Sequence, residues 1–152
     1  MGDSIAKILS ISQSLEEWKE RLPENLSLVT IKDIRNAKQP GPEEAQLTLK
    51  FRLILTLRYL HLQILLHRPI LVKFIDACGE ESVNSSDHRL LQHIGSNSLQ
   101  VCSEAAMNII DIMYEVLHSK TWHKDLLGAW WFSLYYSRSS LPMLVRTLAC
   151  LL

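Results

Sequence analysis

The stretch from Leu47 to Phe74, LTLKFRLILTLRYLHLQILLHRPILVKF, constrains the fold more than any other, because it is apolar on two sides and only positively charged in the seams between them. At about 100° per residue, Leu53, Leu57, Leu60, Ile64 and Leu71 form one stripe of a helix, with Leu55, Leu62 and Leu66 nearly opposite. Such a helix is expected to lie buried between two layers. Lys50, His61 and Arg68 share one seam, with Arg58 nearby, while Arg52, Thr56 and Gln63 share the other. No acidic residue occurs between Glu44 and Asp76, so partners for these groups must come from other elements.

Around this segment the pattern is helical throughout. Ile8, Ile11, Leu15, Trp18 and Leu22 alternate spacings of three and four, which predicts a first helix from about Asp3 to Leu22, stopped by Pro23. Residues 23–42 hold Asn25, Asn36, Pro40, Gly41 and Pro42 and read as a connection with a short turn near Ile31 to Ile34. The long helix then starts near Glu43, and Pro69 is expected to kink or end it at Arg68, with a short continuation to Ala77. Gly79 to Asp87 reads as a surface loop, and Arg89 to Ile94 as a turn. A third helix is expected from Asn97 to His118. Its core face comprises Val101, Cys102, Ala105, Ile109, Ile112, Met113, Val116 and Leu117, and Ala105 and Ala106 allow a close helix approach. A fourth is expected from about Lys124, containing LLGAWWFSLYY. The expectation is an all-α domain of about four main helices, or part of such a domain.

Sixteen basic residues balance sixteen acidic ones, so no net field draws the chain to nucleic acid or to anionic membranes. The apolar stretches 53–75 and 126–152 carry Arg58, Arg68, Lys73, Arg138 and Arg146, each costing about 2.5 to 3.5 kcal/mol at a bilayer centre, so buried soluble helices are expected. Cys78, Cys102 and Cys150 form no CxxC pair and an odd total, which is neither a zinc arrangement nor a disulfide framework.

Chemistry has little foothold. His61 and His67 are six residues apart, about 240° around a helix, and no HExxH spacing occurs, so no metal site is expected. No nucleophile elbow or phosphate-binding glycine loop is present, so no catalytic residue is assigned and the chain reads as a non-enzyme. Glu16, Glu17, Glu20, Asp111 and Glu115 read as solvated charges. Arg58, His61 and Arg68 suit an acidic effector or structural pairing with Glu16, Glu17, Asp111 or Glu115. Trp130 and Trp131 suit either a ligand or partner surface or the core.

Four segments in order, LEEWKERLPENL at 15–26, LHLQILLHRPIL at 60–71, CSEAAMNIIDIM at 102–113 and GAWWFSLYY at 128–136, resemble the later part of the middle homology region of fungal zinc-cluster transcription factors. The resemblance implies a partial helical regulatory domain over residues 1–136, followed by a divergent apolar tail over 137–152. It also implies nuclear localisation and control of RNA polymerase II transcription. In that family a separate N-terminal six-cysteine cluster binds zinc and DNA. The three cysteines here supply no such cluster, so the chain reads as a fragment with no cofactor and no direct nucleic-acid contact. Protein partners or self-association are expected. A stand-alone interaction module and a small-effector-binding domain remain open as alternatives.

Overall fold

Two long helices carry the fold in the computed structural model, which describes residues 2–37, 42–78 and 86–118 together with Leu126. In chain order the described elements are α1 (Gly2–Glu20), a 3-10 turn (Glu24–Leu26), α2 (Ile31–Asn36), α3 (Glu43–Cys78) and α4 (Ser86–His118). All are helical, and no strand occurs among the described residues. The expected fourth helix from Lys124, the 79–85 part of the expected loop and the tail 137–152 lie outside them.

The core is the seam between α3 and α4. Leu53, Leu57, Leu60, Ile64 and Leu71 are all buried, as the first stripe requires, and meet Cys102, Ala105, Ala106, Ile109, Ile112, Met113 and Val116. Small residues set the approach. Ala105 and Ala106 are buried in the seam, and a Cβ placed on Gly95 would stand 2.4 Å from the Phe74 ring, so only glycine fits at that crossing. Gly95 therefore serves close packing and does not interrupt the helix. It is one reason α4 starts at Ser86 rather than at Asn97, and runs through the expected turn.

Pro69 does not end α3, which continues as helix to Cys78. The expected stop is overridden because Ile70 and Leu71, directly after the proline, are buried in the core. Leu65, whose carbonyl loses its helical donor to Pro69, is exposed, so water can take that carbonyl. The second apolar side of α3 differs from expectation too. Leu55 and Leu66 are half-buried and Leu62 is 51% exposed, so the helix is not sandwiched between two full layers.

The first helix is placed much as its spacing predicts, but its phase is rotated. Ile5, Ile8, Ser12, Leu15 and Glu16 are the half-buried positions, whereas Ile11 and Trp18 are 55% and 40% exposed. Trp18 instead lies beside Tyr59, ring centroids 6.3 Å apart. The connection after α1 contains α2, which begins one residue after Thr30. Thr30 and Asp33 form a capping box in which each side chain accepts from the other's backbone N–H. That backbone donor and the nearby Arg52 keep the Asp33 carboxyl below its ordinary pKa, against a smaller opposing effect of burial.

Candidate functional site

One face of α3 organises everything that α1 and the connection contribute. Thr56, Tyr59, Leu60, Gln63 and His67 recur at helical spacing on the side turned toward both α1 and α4. The backbones of α1 and α4 nowhere come within 8 Å of each other among the described residues, so α3 lies between them as the floor of a trough. The trough is open to solvent and has a volume of about 770 Å³.

Polar contacts tie α3 to its neighbours at the trough and one turn beyond it. At one end the segment Leu28 to Lys32 folds over α3, held by the Val29 backbone N–H donating to Thr56 Oγ1 (2.8 Å). Thr56 in turn donates to the Arg52 carbonyl (2.8 Å), and Arg52 donates to the Ser27 carbonyl (2.8 Å) and to Ser27 Oγ (3.0 Å). One turn past Gln63, beyond the residues that line the trough, the imidazole of His67 joins α1 to α4. Its Nε2 is 3.2 Å from Ser12 Oγ on α1, and its Nδ1 is 3.1 Å from Ser98 Oγ on α4. His67 is 1% exposed, and burial holds its pKa below the ordinary histidine value. A neutral imidazole offers one donor and one acceptor, and each serine hydroxyl can supply the complement.

The α1 wall is polar. Glu16 accepts from the Tyr59 hydroxyl, from Gln63 Nε2 (3.0 Å) and from Lys19 Nζ (2.7 Å). Gln63 Nε2 also donates to the Tyr59 hydroxyl oxygen (3.0 Å), and the Lys19 ammonium stands 5.5 Å from the Tyr59 ring centroid. Burial would raise the Glu16 pKa, but these hydrogen bonds and the lysine charge outweigh it and lower the value. Burial and the adjacent carboxylate push the Tyr59 hydroxyl well above its ordinary range, so Tyr59 stays neutral and donates. The opposite wall comes from α4: Val101, Ala105 and Ile112 are apolar, and Glu104 and Asn108 stand at the rim.

The residues singled out from sequence are distributed differently. Arg58 and Arg68 are exposed on α3, whereas His61 is buried at 8% exposure, with its pKa lowered by burial. Arg58 and Arg68 are about 15 Å apart along the helix axis, so the three do not converge on one anion. Three of the four acids expected to pair with them are used elsewhere, Glu16 in the trough, Glu17 with Arg21 (3.1 Å) and Glu115 with Arg35 of α2 (2.9 Å), and the fourth, Asp111, is exposed on α4. Trp130 and Trp131 lie outside the described residues. Sequence reasoning flagged Arg52, Thr56 and Gln63 as a polar seam but left out Tyr59, His67, Ser12 and Ser98. The available signal was Tyr59, Gln63 and His67 recurring every fourth residue on one stripe.

Among the described residues no group of three or more His, Cys, Asp and Glu side chains is positioned to hold a metal ion. Cys102 is a free, fully buried thiol whose pKa burial pushes up to about 12, which suppresses the reactive thiolate. No described helix is long and apolar enough to cross a membrane.

No model of a known protein family matches the chain, and no solved structure matches it. Curated proteins do match. Transcription factor FBD3 of Gibberella moniliformis is 29% identical over 131 residues, covering 83% of this chain and 16% of that protein. Sorbicillinoid biosynthetic cluster transcription factor 2 of Penicillium rubens is 29% identical over 139 residues, 84% of this chain and 17% of that protein. Activator of stress genes protein 1 of Candida albicans is 32% identical over 147 residues, 92% of this chain and 13% of that protein. The chain thus spans only between 13% and 17% of the length of these relatives, and what it is similar to is one segment of two fungal transcription factors and of a fungal activator of stress genes.

Proposed function

We propose that this chain is a non-catalytic regulatory segment of the kind found in the middle homology region of fungal zinc-cluster transcription regulators, acting in the nucleus through intramolecular or partner contacts. The observation that carries the reading is the breadth of the alignments. Two transcription factors and an activator of stress genes, from three different fungi, each match more than four fifths of this chain, and all the described elements are helical. On this reading zinc and DNA recognition belong to a separate module, since three cysteines cannot hold a six-cysteine cluster. The test is to tether the full 152-residue chain to an unrelated DNA-binding module in a fungal cell. The expected result is reporter output that differs from that of the module alone, with nuclear accumulation of a fluorescently tagged chain. An inert tether and a tagged chain excluded from the nucleus would overturn the reading.

The second reading, an interaction module that binds a relative or itself, is favoured by the outer side of α3, where Leu47, Phe51, Leu62 and Leu65 are each 46–56% exposed. A row of large apolar side chains on one helix is more than scattered surface residues usually amount to. Sedimentation of the purified chain at tens of micromolar is expected to show self-association, and a monodisperse monomer would count against this reading.

A further inference from the structure

We propose that the trough over α3 is a binding site for a neutral amphipathic small molecule with an apolar body and a single alcohol head. Its shape comes first. The trough is floored by α3, walled by α1 and α4, whose backbones stay apart, and bounded by the Leu28 to Lys32 segment. Its volume of about 770 Å³ falls within the range of small-molecule sites.

The chemistry of the walls selects the ligand. Val29, Ile31, Leu60, Val101 and Ile112 give an apolar body a surface on three sides. The charged groups cancel: Lys19 and Lys32 stand against Glu16 and Glu104, and Lys19 is already paired with Glu16. An ionised head of either sign would lose its water without finding an unmatched opposite charge, so a neutral head is favoured.

The hydrogen-bonding pattern narrows the head further. Both hydrogens of the Gln63 amide are spent, on Glu16 and Tyr59, while its carbonyl oxygen has no partner among the described residues. That oxygen accepts from a hydroxyl, and the Lys19 ammonium, with one of its three donors given to Glu16, donates back to the same oxygen of the ligand. An alcohol meets both demands, whereas an ether or ketone meets only the second.

The test uses the purified full chain and the neutral dye Nile red, displaced by 1-decanol, decanoate or decylammonium of equal chain length. The expected result is displacement by the alcohol at concentrations about ten-fold or more below those needed for either ion. Gln63→Leu should reduce that preference to about three-fold or less while dye binding persists. Asn108→Trp, which fills the mouth from an exposed rim position, should abolish binding with an unchanged melting curve. Lys32→Trp provides the same block from the other wall should the first variant fail to fold. Leu62→Ser with Leu65→Ser, on the opposite side of α3, should leave binding intact. Dye uptake that survives both blocking variants, or is lost on the outer-face variant, would overturn the site. Equal displacement by the three heads would overturn the alcohol assignment.

Discussion

α4 and α1 both carry apolar residues at helical spacing, yet they are seated in opposite ways. α4 buries most of the stripe its spacing announces: Cys102, Ala105, Ile109, Ile112, Met113 and Val116 are buried in the core, whereas Val101 is half-buried and Leu117, in the last turn, is 44% exposed, and small residues let α3 and α4 meet closely. α1 leaves Ile11 and Trp18 largely in water, packs Leu15 against the core, and adds Ser12 and Glu16, which hydrogen-bond to His67, Tyr59 and Gln63 of α3. Hydrophobic periodicity fixes the phase of a helix when its neighbour offers a continuous apolar surface. When the neighbour offers Tyr59, Gln63 and His67, buried polar groups that must be satisfied fix the phase instead.

The contrast can be broken at several strengths. Ile109→Ala, at a fully buried position of the α3–α4 seam, is expected to cost about 2–5 kcal/mol in chemical denaturation. Gly95→Ala should follow at about 1–3 kcal/mol, because the new methyl meets the Cβ and Cγ of Phe74 rather than the end of a side chain that can swing away. Trp18→Ala, which the sequence phase would rank with core truncations at about 3–5 kcal/mol, should cost only about 1 kcal/mol because its ring is 40% exposed. Glu17→Ala, on the solvent side of α1, should change stability by less than about 0.5 kcal/mol. A Trp18 effect equal to that of Ile109 would restore the sequence phase for α1.

Acid should act on the polar side of the contrast. Burial depresses the pKa of both His61 and His67 below 6.5, so the folded state resists protons that the unfolded chain accepts. Stability from these groups is complete above about pH 6.5 and is lost as pH falls below it, at no more than about 1.4 kcal/mol per pH unit for each histidine. Denaturation at pH 7.5 and 5.5 should show this loss, and His67→Gln should remove part of it.

The long apolar segment announced α3, and the α4 stripe announced its partner, so the central helix pair was legible. Pro69 left two outcomes open, a kink or an end, because a local rule about a missing donor does not weigh the burial of Ile70 and Leu71 beyond it, and the helix runs on to Cys78. Gly95 was passed over because its use, room for the Phe74 ring, depends on a residue twenty-one positions away. The trough was hidden for the same reason. His67 joins Ser12 to Ser98 across separations of 55 and 31 residues, and nothing local marks either serine as its partner.

Polar contacts to α3 set the phase of α1 beside the packing of Leu15, and a double-mutant cycle between Glu16→Ala and Tyr59→Phe measures the central one directly. A coupling energy of about 1 kcal/mol or more is predicted, since the pair is a hydrogen bond between a carboxylate and a hydroxyl whose ring is 4% exposed. Additivity to within about 0.3 kcal/mol would contradict it and return the docking of α1 to its apolar stripe.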